Sequence, residues 1–334
     1  MPDVAHVAVM AAGSWGTTFA KILADAGNQV RIWARRAEVV ESINVHHMNP
    51  HYLPDVPLRS TIVATTDAAE ALDGAEMVVL SVPSQTLRDN LTNWAGHLGS
   101  EATVISLMKG VELGTLKRMS EVINEVGKVD FERIAVVTGP NLAREIAQEQ
   151  PTAAVVACAD AARASRVQDA VTNRYFRPYT NPDVVGCELG GAVKNVIGLA
   201  HGMASGMGLG DNTKATLITR GLAETARLGA KLGADPLTFS GLAGLGDLVA
   251  TCQSPLSRNN TFGVALGRGK SLAEAQEITK QTAEGVKSCR SIRDLARAYG
   301  VEMPITEQVE KVCYEGLSPQ RAVRDLMSRD TTSE

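Results

Sequence analysis

An alternation in the first half of the chain most constrains its fold. Short apolar runs, rich in Val, Ile and Ala, recur between stretches of helical periodicity. They are Val4–Met10, Val30–Ala34, Met77–Val82, Val104–Leu107, Ile134–Thr138 and Ala153–Cys158, with Tyr175–Asn181 as a last candidate. A strand covered on both faces reads as such a run, because neither face meets water. A helix between successive runs makes βαβ units, and these build a parallel sheet with helices on both faces.

After about Pro182 the strand signals stop. Segments rich in Ala, Gly and Leu run from Asp183 to Gly233 and again from Ser271 to Leu326, with Gly-rich joints at Gly206–Gly210 and Ser240–Gly246. The chain is therefore expected to form an α/β domain over residues 1–182 and a mostly helical domain over residues 183–334. Apolar residues make up 44% of the chain but aromatic ones only 4%. The core must come from small and aliphatic side chains, which suits helices lying close on a sheet.

Charge and cysteine content exclude several classes. The net charge of −4 lacks the basic excess of a nucleic-acid binder. Five cysteines, with no CxxC pair, suit a reducing cytoplasm better than a disulfide framework or a zinc site. The opening MPDVAHVAVM has no basic region before an apolar stretch, so no signal peptide is expected. Lys194, Asn195 and His201 interrupt the stretch from Leu189 to Gly210 and argue against a membrane span. His46, His47 and His51 cluster without an accompanying ligand set and read as loop histidines, so no metal is expected.

Between the first run and the first helix lies Ala11-Ala-Gly13-Ser14-Trp15-Gly16. In a strand–turn–helix setting this is a dinucleotide-binding turn. Gly13 admits the pyrophosphate, Gly16 permits close helix–strand packing, and the helix start near Ser14 favours negative charge. The fold class expected is thus a Rossmann-type doubly wound sheet followed by a helical domain. Ala11 stands where the first motif glycine normally does. Its methyl group is harmless if φ is negative and otherwise crowds the dinucleotide, so Ala11→Gly is expected to tighten cofactor binding or leave it unchanged. The second strand ends in Arg35-Arg36 with no acid before Glu38. Two guanidinium groups suit a 2′-phosphate, which favours NADP(H) with NAD(H) as the alternative.

Three later segments carry polar groups that a bland helical domain does not need. GGAVKN places Lys194 and Asn195 in an apolar helix, GLAGLGDL places Asp247 one helical turn before Thr251, and Ser257-Arg258-Asn259 supplies anion-binding groups. With Lys109 and the Gly139-Pro-Asn141 segment they suit a small phosphorylated substrate with a reducible carbonyl.

In this order and spacing, GSWGT, Lys109-Gly, Gly139-Pro-Asn141-Leu-Ala143, GGAVKN, GLAGLGDL and SRN resemble the NAD(P)-dependent glycerol-3-phosphate dehydrogenases of the soluble bacterial type, over about Val4 to Leu317. The resemblance implies interconversion of dihydroxyacetone phosphate and sn-glycerol 3-phosphate, the glycerophospholipid backbone, by a cytoplasmic homodimer. It implies Lys194 as proton donor and acceptor. Lys109, Gly139, Asn141, Asn195, Asp247, Thr251, Ser257, Arg258 and Asn259 are then expected around the substrate. Gly13, Ser14, Trp15, Gly16, Arg35, Arg36, Lys109, Ala143, Arg258 and Glu284 are expected around the dinucleotide.

The chemistry is also arguable from residue types. Hydride arrival at a ketone carbon builds negative charge on its oxygen, and a lysine ammonium both stabilises that charge and delivers the proton. Asp247 orients either Lys194 or a substrate hydroxyl. Two other readings remain open at this point: a reductase of a branched 2-keto acid or sugar acid, and a non-catalytic NADP(H) sensor.

Overall fold

The computed structural model describes residues 4–279 and 283–330. The chain divides into one unit comprising Met1–Lys109 and Lys117–Glu188, and a second comprising Gly110–Leu116 and Leu189–Glu334. The break anticipated after Pro182 lies a few residues before the last crossing. Glu188 stays with the first unit because its carboxylate accepts hydrogen bonds from Arg118 (2.6 Å), the Ser120 backbone (2.8 Å) and the Ser120 hydroxyl (2.6 Å).

The strands of the first unit are β1 (His6–Met10), β2 (Gln29–Trp33), β3 (Met48–Asn49), β4 (Leu53–Pro57), β5 (Ile62–Thr65), β6 (Met77–Leu80), β7 (Thr103–Ser106), β8 (Ile134–Thr138), β9 (Thr152–Cys158) and β10 (Phe176–Asn181). β3 and β4 form a separate antiparallel pair. The other eight make one sheet in the order β10-β9-β8-β7-β6-β1-β2-β5. The sheet is parallel as expected except at one pair: β8 and β9 run antiparallel. Their link carries only the five-residue helix Ala143–Ala147. The parallel pair β9–β10 is joined instead by the eleven-residue helix Ala161–Val171, the longer crossover that parallel neighbours require.

Alternation along each strand feeds two apolar layers. Val7, Val9, Met77, Val79 and Ile105 face one, and Ala8, Met10, Val78, Leu80 and Val104 face the other. Each such side chain, fully buried, contributes about 1–3 kcal/mol of hydrophobic stabilisation. The strand order reverses beside β1, which lies between β2 and β6. In open α/β sheets the crevice at such a reversal, beyond the carboxyl ends of the strands, receives the ligand. The turn into α1 (Ser14–Asp25) leaves β1 at that end.

The second unit is helical. Its site is carried by α2 (Val184–Gly206), α3 (Asp247–Gln253), α4 (Arg258–Gly267) and α5 (Glu284–Ala298). Helices α2 and α4 meet backbone to backbone. A Cβ on Gly202 would lie 2.2 Å from the Asn260 carbonyl oxygen, and one on Gly263 would lie 2.2 Å from that of Leu199. This contact gives two opposed expectations for Gly202→Ala. Helix propensity alone favours alanine by about 1 kcal/mol. Overpacking against a backbone oxygen that has no rotamer to escape into costs about 1–3 kcal/mol. Packing is expected to win, and urea unfolding should show net destabilisation; a stabilised variant would mean that the two helices separate at little cost. Among the described residues no helix is long and apolar enough to cross a membrane.

Candidate functional site

In the first unit the turn after β1 leads through Gly13 into the start of α1. Gly13 is the N-cap of α1 and makes no side-chain cap, so the first-turn amides are left for another acceptor. A Cβ on Gly16 would lie 2.0 Å from the Ala11 carbonyl oxygen, so only glycine fits there. Ala11 itself has φ +134°, in the region that L-residues rarely adopt. Its methyl packs against the apolar layer that contains Met10 and Leu80. The departure from the motif therefore acts through backbone strain, not through a methyl projecting from a relaxed turn. The Trp15 indole nitrogen is buried and has no hydrogen-bond partner.

Arg35 is exposed at the end of β2, and Arg36 is half-buried as N-cap of the helix Ala37–His46. The Arg36 guanidinium stands 3.6 Å from Glu38 and 5.8 Å from the Tyr52 ring centre, yet its Nη2 is buried without a partner. Two cations and a helix N-terminus converge on this strand end. Lys109 donates to the Gly139 carbonyl at 3.2 Å, just beyond β8. Neither amide atom of Asn141 has a partner. The Thr18 hydroxyl donates to the Ala143 carbonyl at 3.3 Å and so ties α1 to this segment. Open helix-start amides, a close-approach glycine and unpartnered indole and guanidinium donors fit a dinucleotide.

His46 ends its helix, His47 caps it in a left-handed conformation, and His51 lies edge-on to Tyr52. Among the described residues no group of three or more His, Cys, Asp or Glu side chains is placed to hold a metal.

In the second unit α2 presents Lys194 and Asn195. Lys194 Nζ donates to Asp247 Oδ1 at 2.5 Å and to the Thr251 hydroxyl at 2.9 Å. The lysine side chain is 11% exposed and the aspartate 1%, so the pair is held away from water. The i,i+4 spacing of Asp247 and Thr251 puts both on the lysine. Asp247 opens α3 directly after a π-helical turn, Leu242–Gly246. Such wide turns recur at functional sites because they re-aim the residues that follow. Burial pushes the neighbouring Cys252 thiol up to about 12, against the opposing pull of the Lys194 charge. The thiol therefore stays neutral.

Asn195 is buried beside it. Its Oδ1 accepts from Asn259 Nδ2 at 2.9 Å, while its own Nδ2 has no partner. Asn259 Oδ1 in turn accepts from the Gly285 backbone at 2.9 Å, at the start of α5 beside Glu284. The Asn259 amide is thus committed within the protein, and Asn195 presents the unpartnered donor. The Ser257 hydroxyl caps α4 by accepting from the Asn260 backbone at 3.3 Å, and Arg258 is exposed as the first residue of that helix. The sequence reading missed two participants, Gly285 and Ser81, whose hydroxyl donates to the Ala11 carbonyl at 3.1 Å. A backbone amide and a single serine after a strand carry no pattern by which to find them.

Known proteins are similar to this chain over nearly its whole length. The family described as NAD-dependent glycerol-3-phosphate dehydrogenase N-terminus matches residues 6–164, and its C-terminal counterpart matches residues 183–324. The chain is 67% identical to "Glycerol-3-phosphate dehydrogenase [NAD(P)+]" of Streptomyces griseus over all of this chain and 99% of that one. It is 60% identical to the protein of the same description from Corynebacterium aurimucosum, over 99% of this chain and all of that one. The crystal structure of glycerol-3-phosphate dehydrogenase from Coxiella burnetii superposes with a TM-score of 0.92 at 37% identity, over 98% of this chain and 99% of that one. The chain belongs to the NAD-dependent glycerol-3-phosphate dehydrogenase family.

Proposed function

We propose that this enzyme reduces dihydroxyacetone phosphate to sn-glycerol 3-phosphate, reversibly, with Lys194 as the proton donor. The observation that carries the reading is the buried Lys194–Asp247–Thr251 set, an amine held away from water next in sequence to Asn195, whose Nδ2 has no partner. The reduced nicotinamide supplies the hydride when bound. Lys194 then stabilises the charge that grows on the ketone oxygen and delivers the proton, a combination most effective where water is excluded. Asp247 keeps the nitrogen charged for this direction, and Thr251 fixes its position. In the reverse direction Lys194 must give up a proton before it accepts one from the alcohol.

Arg258 is assigned to the substrate phosphate, at the positive end of α4. Lys109, Gly139, Asn141, Asn195, Ser257 and Asn259 are assigned around the substrate, Asn259 and Ser257 by holding their neighbours in place. Gly13, Ser14, Trp15, Gly16, Arg35, Arg36, Ala143 and Glu284 are assigned to the dinucleotide, which Lys109 and Arg258 also serve. By resemblance the enzyme works as a cytoplasmic homodimer, and residues 1–182 and 183–334 are its two functional domains.

The preferred cofactor is NADPH. Its support is the pair Arg35 and Arg36 at a helix N-terminus, with the buried Nη2 of Arg36 unpartnered. Initial rates with dihydroxyacetone phosphate should therefore show a lower KM for NADPH than for NADH. In an Arg35→Ala/Arg36→Ala variant the NADPH advantage is expected to fall about tenfold or more, the loss of a charge-assisted contact worth about 1.5–3 kcal/mol. A preference unchanged by the double substitution would contradict the assignment. Turnover of unphosphorylated 2-keto acids at comparable efficiency would instead favour a neighbouring reductase.

A further inference from the structure

The turn that carries the first motif position is strained, and the structure holds it in a specific way. Ala11 has φ +134°. Its carbonyl oxygen is wedged toward α1, 2.0 Å from where a Gly16 Cβ would stand. The same point lies 2.4 Å from Ser81 Oγ, so Ala11, Gly16 and Ser81 meet at one spot. The Ser81 hydroxyl donates to the Ala11 carbonyl at 3.1 Å, and the Ser81 backbone amide donates to the Met10 carbonyl at 3.4 Å. Ser81 directly follows β6, the strand beside β1 at the reversal of strand order.

We propose that Ser81 is a positioning residue for the dinucleotide turn, made necessary by alanine at position 11. Glycine would hold this conformation without penalty. Alanine holds it only where surrounding contacts over-determine it. The Ser81 hydroxyl fixes the orientation of the peptide unit that follows Ala11, and with it the path of the backbone into Gly13 and the helix-start amides. Ser81 touches neither hydride nor proton, so its effect is on capture of the dinucleotide. The inference rests on the assignment of this turn to the cofactor, and not on the identity of the substrate.

The test is a double-mutant cycle between Ser81→Ala and Ala11→Gly, read by direct titration of NADPH through its fluorescence in the absence of substrate. In the Ala11 protein, Ser81→Ala is expected to raise the NADPH Kd about tenfold, in line with the usual cost of a backbone held in a rare conformation. In the Ala11→Gly background the same change should move it less than about twofold, because glycine needs no support. Ser81→Thr keeps the hydroxyl and should recover tight binding. In steady state the change should appear in KM for the dinucleotide much more than in kcat. Equal losses in both backgrounds would overturn the proposal, since Ser81 would then act independently of Ala11; so would no loss in either. Should Ser81→Ala not fold, Ser81→Thr with and without Ala11→Gly carries the test, and failure of the threonine to bind NADPH as wild type does would count against it. Failure of the wild-type chain to bind NADPH would instead remove the cofactor assignment itself.

Discussion

Lys194→Ala is expected to lower kcat by about four orders of magnitude while leaving NADPH affinity nearly unchanged, since it removes both a general acid and the charge opposite the developing oxyanion. The residues assigned to the dinucleotide in the first unit run from Gly13 to Arg36, far from Lys194 in sequence. One complication is structural. Asp247 is 1% exposed, and Lys194→Ala takes the lysine cation away from this buried carboxylate. Breaking such a pair on one side costs about 3–5 kcal/mol. Low activity in the single variant therefore has two sources, lost chemistry and lost stability. The double variant Lys194→Ala/Asp247→Asn separates them. It removes the buried charge and should regain most of the stability in urea unfolding, yet turnover should stay as low as in the single variant. Turnover that returned along with stability would show that Lys194 is a structural ion-pair member and not the proton donor.

Much of this site was legible because its chemistry is local in sequence. Asp247 and Thr251 are one helical turn apart, so any helix through them points both the same way, and both bind Lys194. Gly13, Gly16 and the preceding apolar strand form one uninterrupted segment. The buried strands were legible for a related reason: a run apolar on both faces leaves no other placement. β5 was not read. Its Val63 is exposed, and at the sheet edge one strand face meets water, so Ser60–Thr65 lacks the run that marked its neighbours. The direction of β9 was likewise hidden, since polarity is set by the length of the crossover and not by the strand's own residues. The commitment of Asn259 to Asn195 and Gly285 spans separations of 64 and 26 residues. Such pairings depend on how α2 and α4 approach, which rests on glycines that leave no polar signal. Asn259 was expected beside the substrate, as a donor to its anion and by resemblance. The hydrogen bonds add that it orients the donor which Asn195 presents.

The phosphate assignment leads to the second large effect. Arg258 opens α4, where the helix dipole already favours an anion, and the capping Ser257 fixes where that helix begins. A phosphate held there is remote from the carbonyl that reacts. Its binding energy is useful only if it is drawn on to hold the carbonyl in register with the hydride and with Lys194. Arg258→Ala should then lower kcat/KM for dihydroxyacetone phosphate by about a thousandfold, counting the lost charge-assisted contacts and the looser orientation together. The decisive comparison is with dihydroxyacetone itself, which has the ketone and no phosphate. The wild-type enzyme should use it poorly, and at saturating NADPH Arg258→Ala should use it almost as well as wild type does, because this substrate has no phosphate for the guanidinium to hold and the excess cofactor offsets any weaker dinucleotide contact. The ratio of the two substrates' kcat/KM should therefore collapse in the variant. A parallel loss on both substrates would place Arg258 in the chemistry or in the scaffold of α4, and the phosphate would have to be sought at Lys109 or at the Asn195 amide.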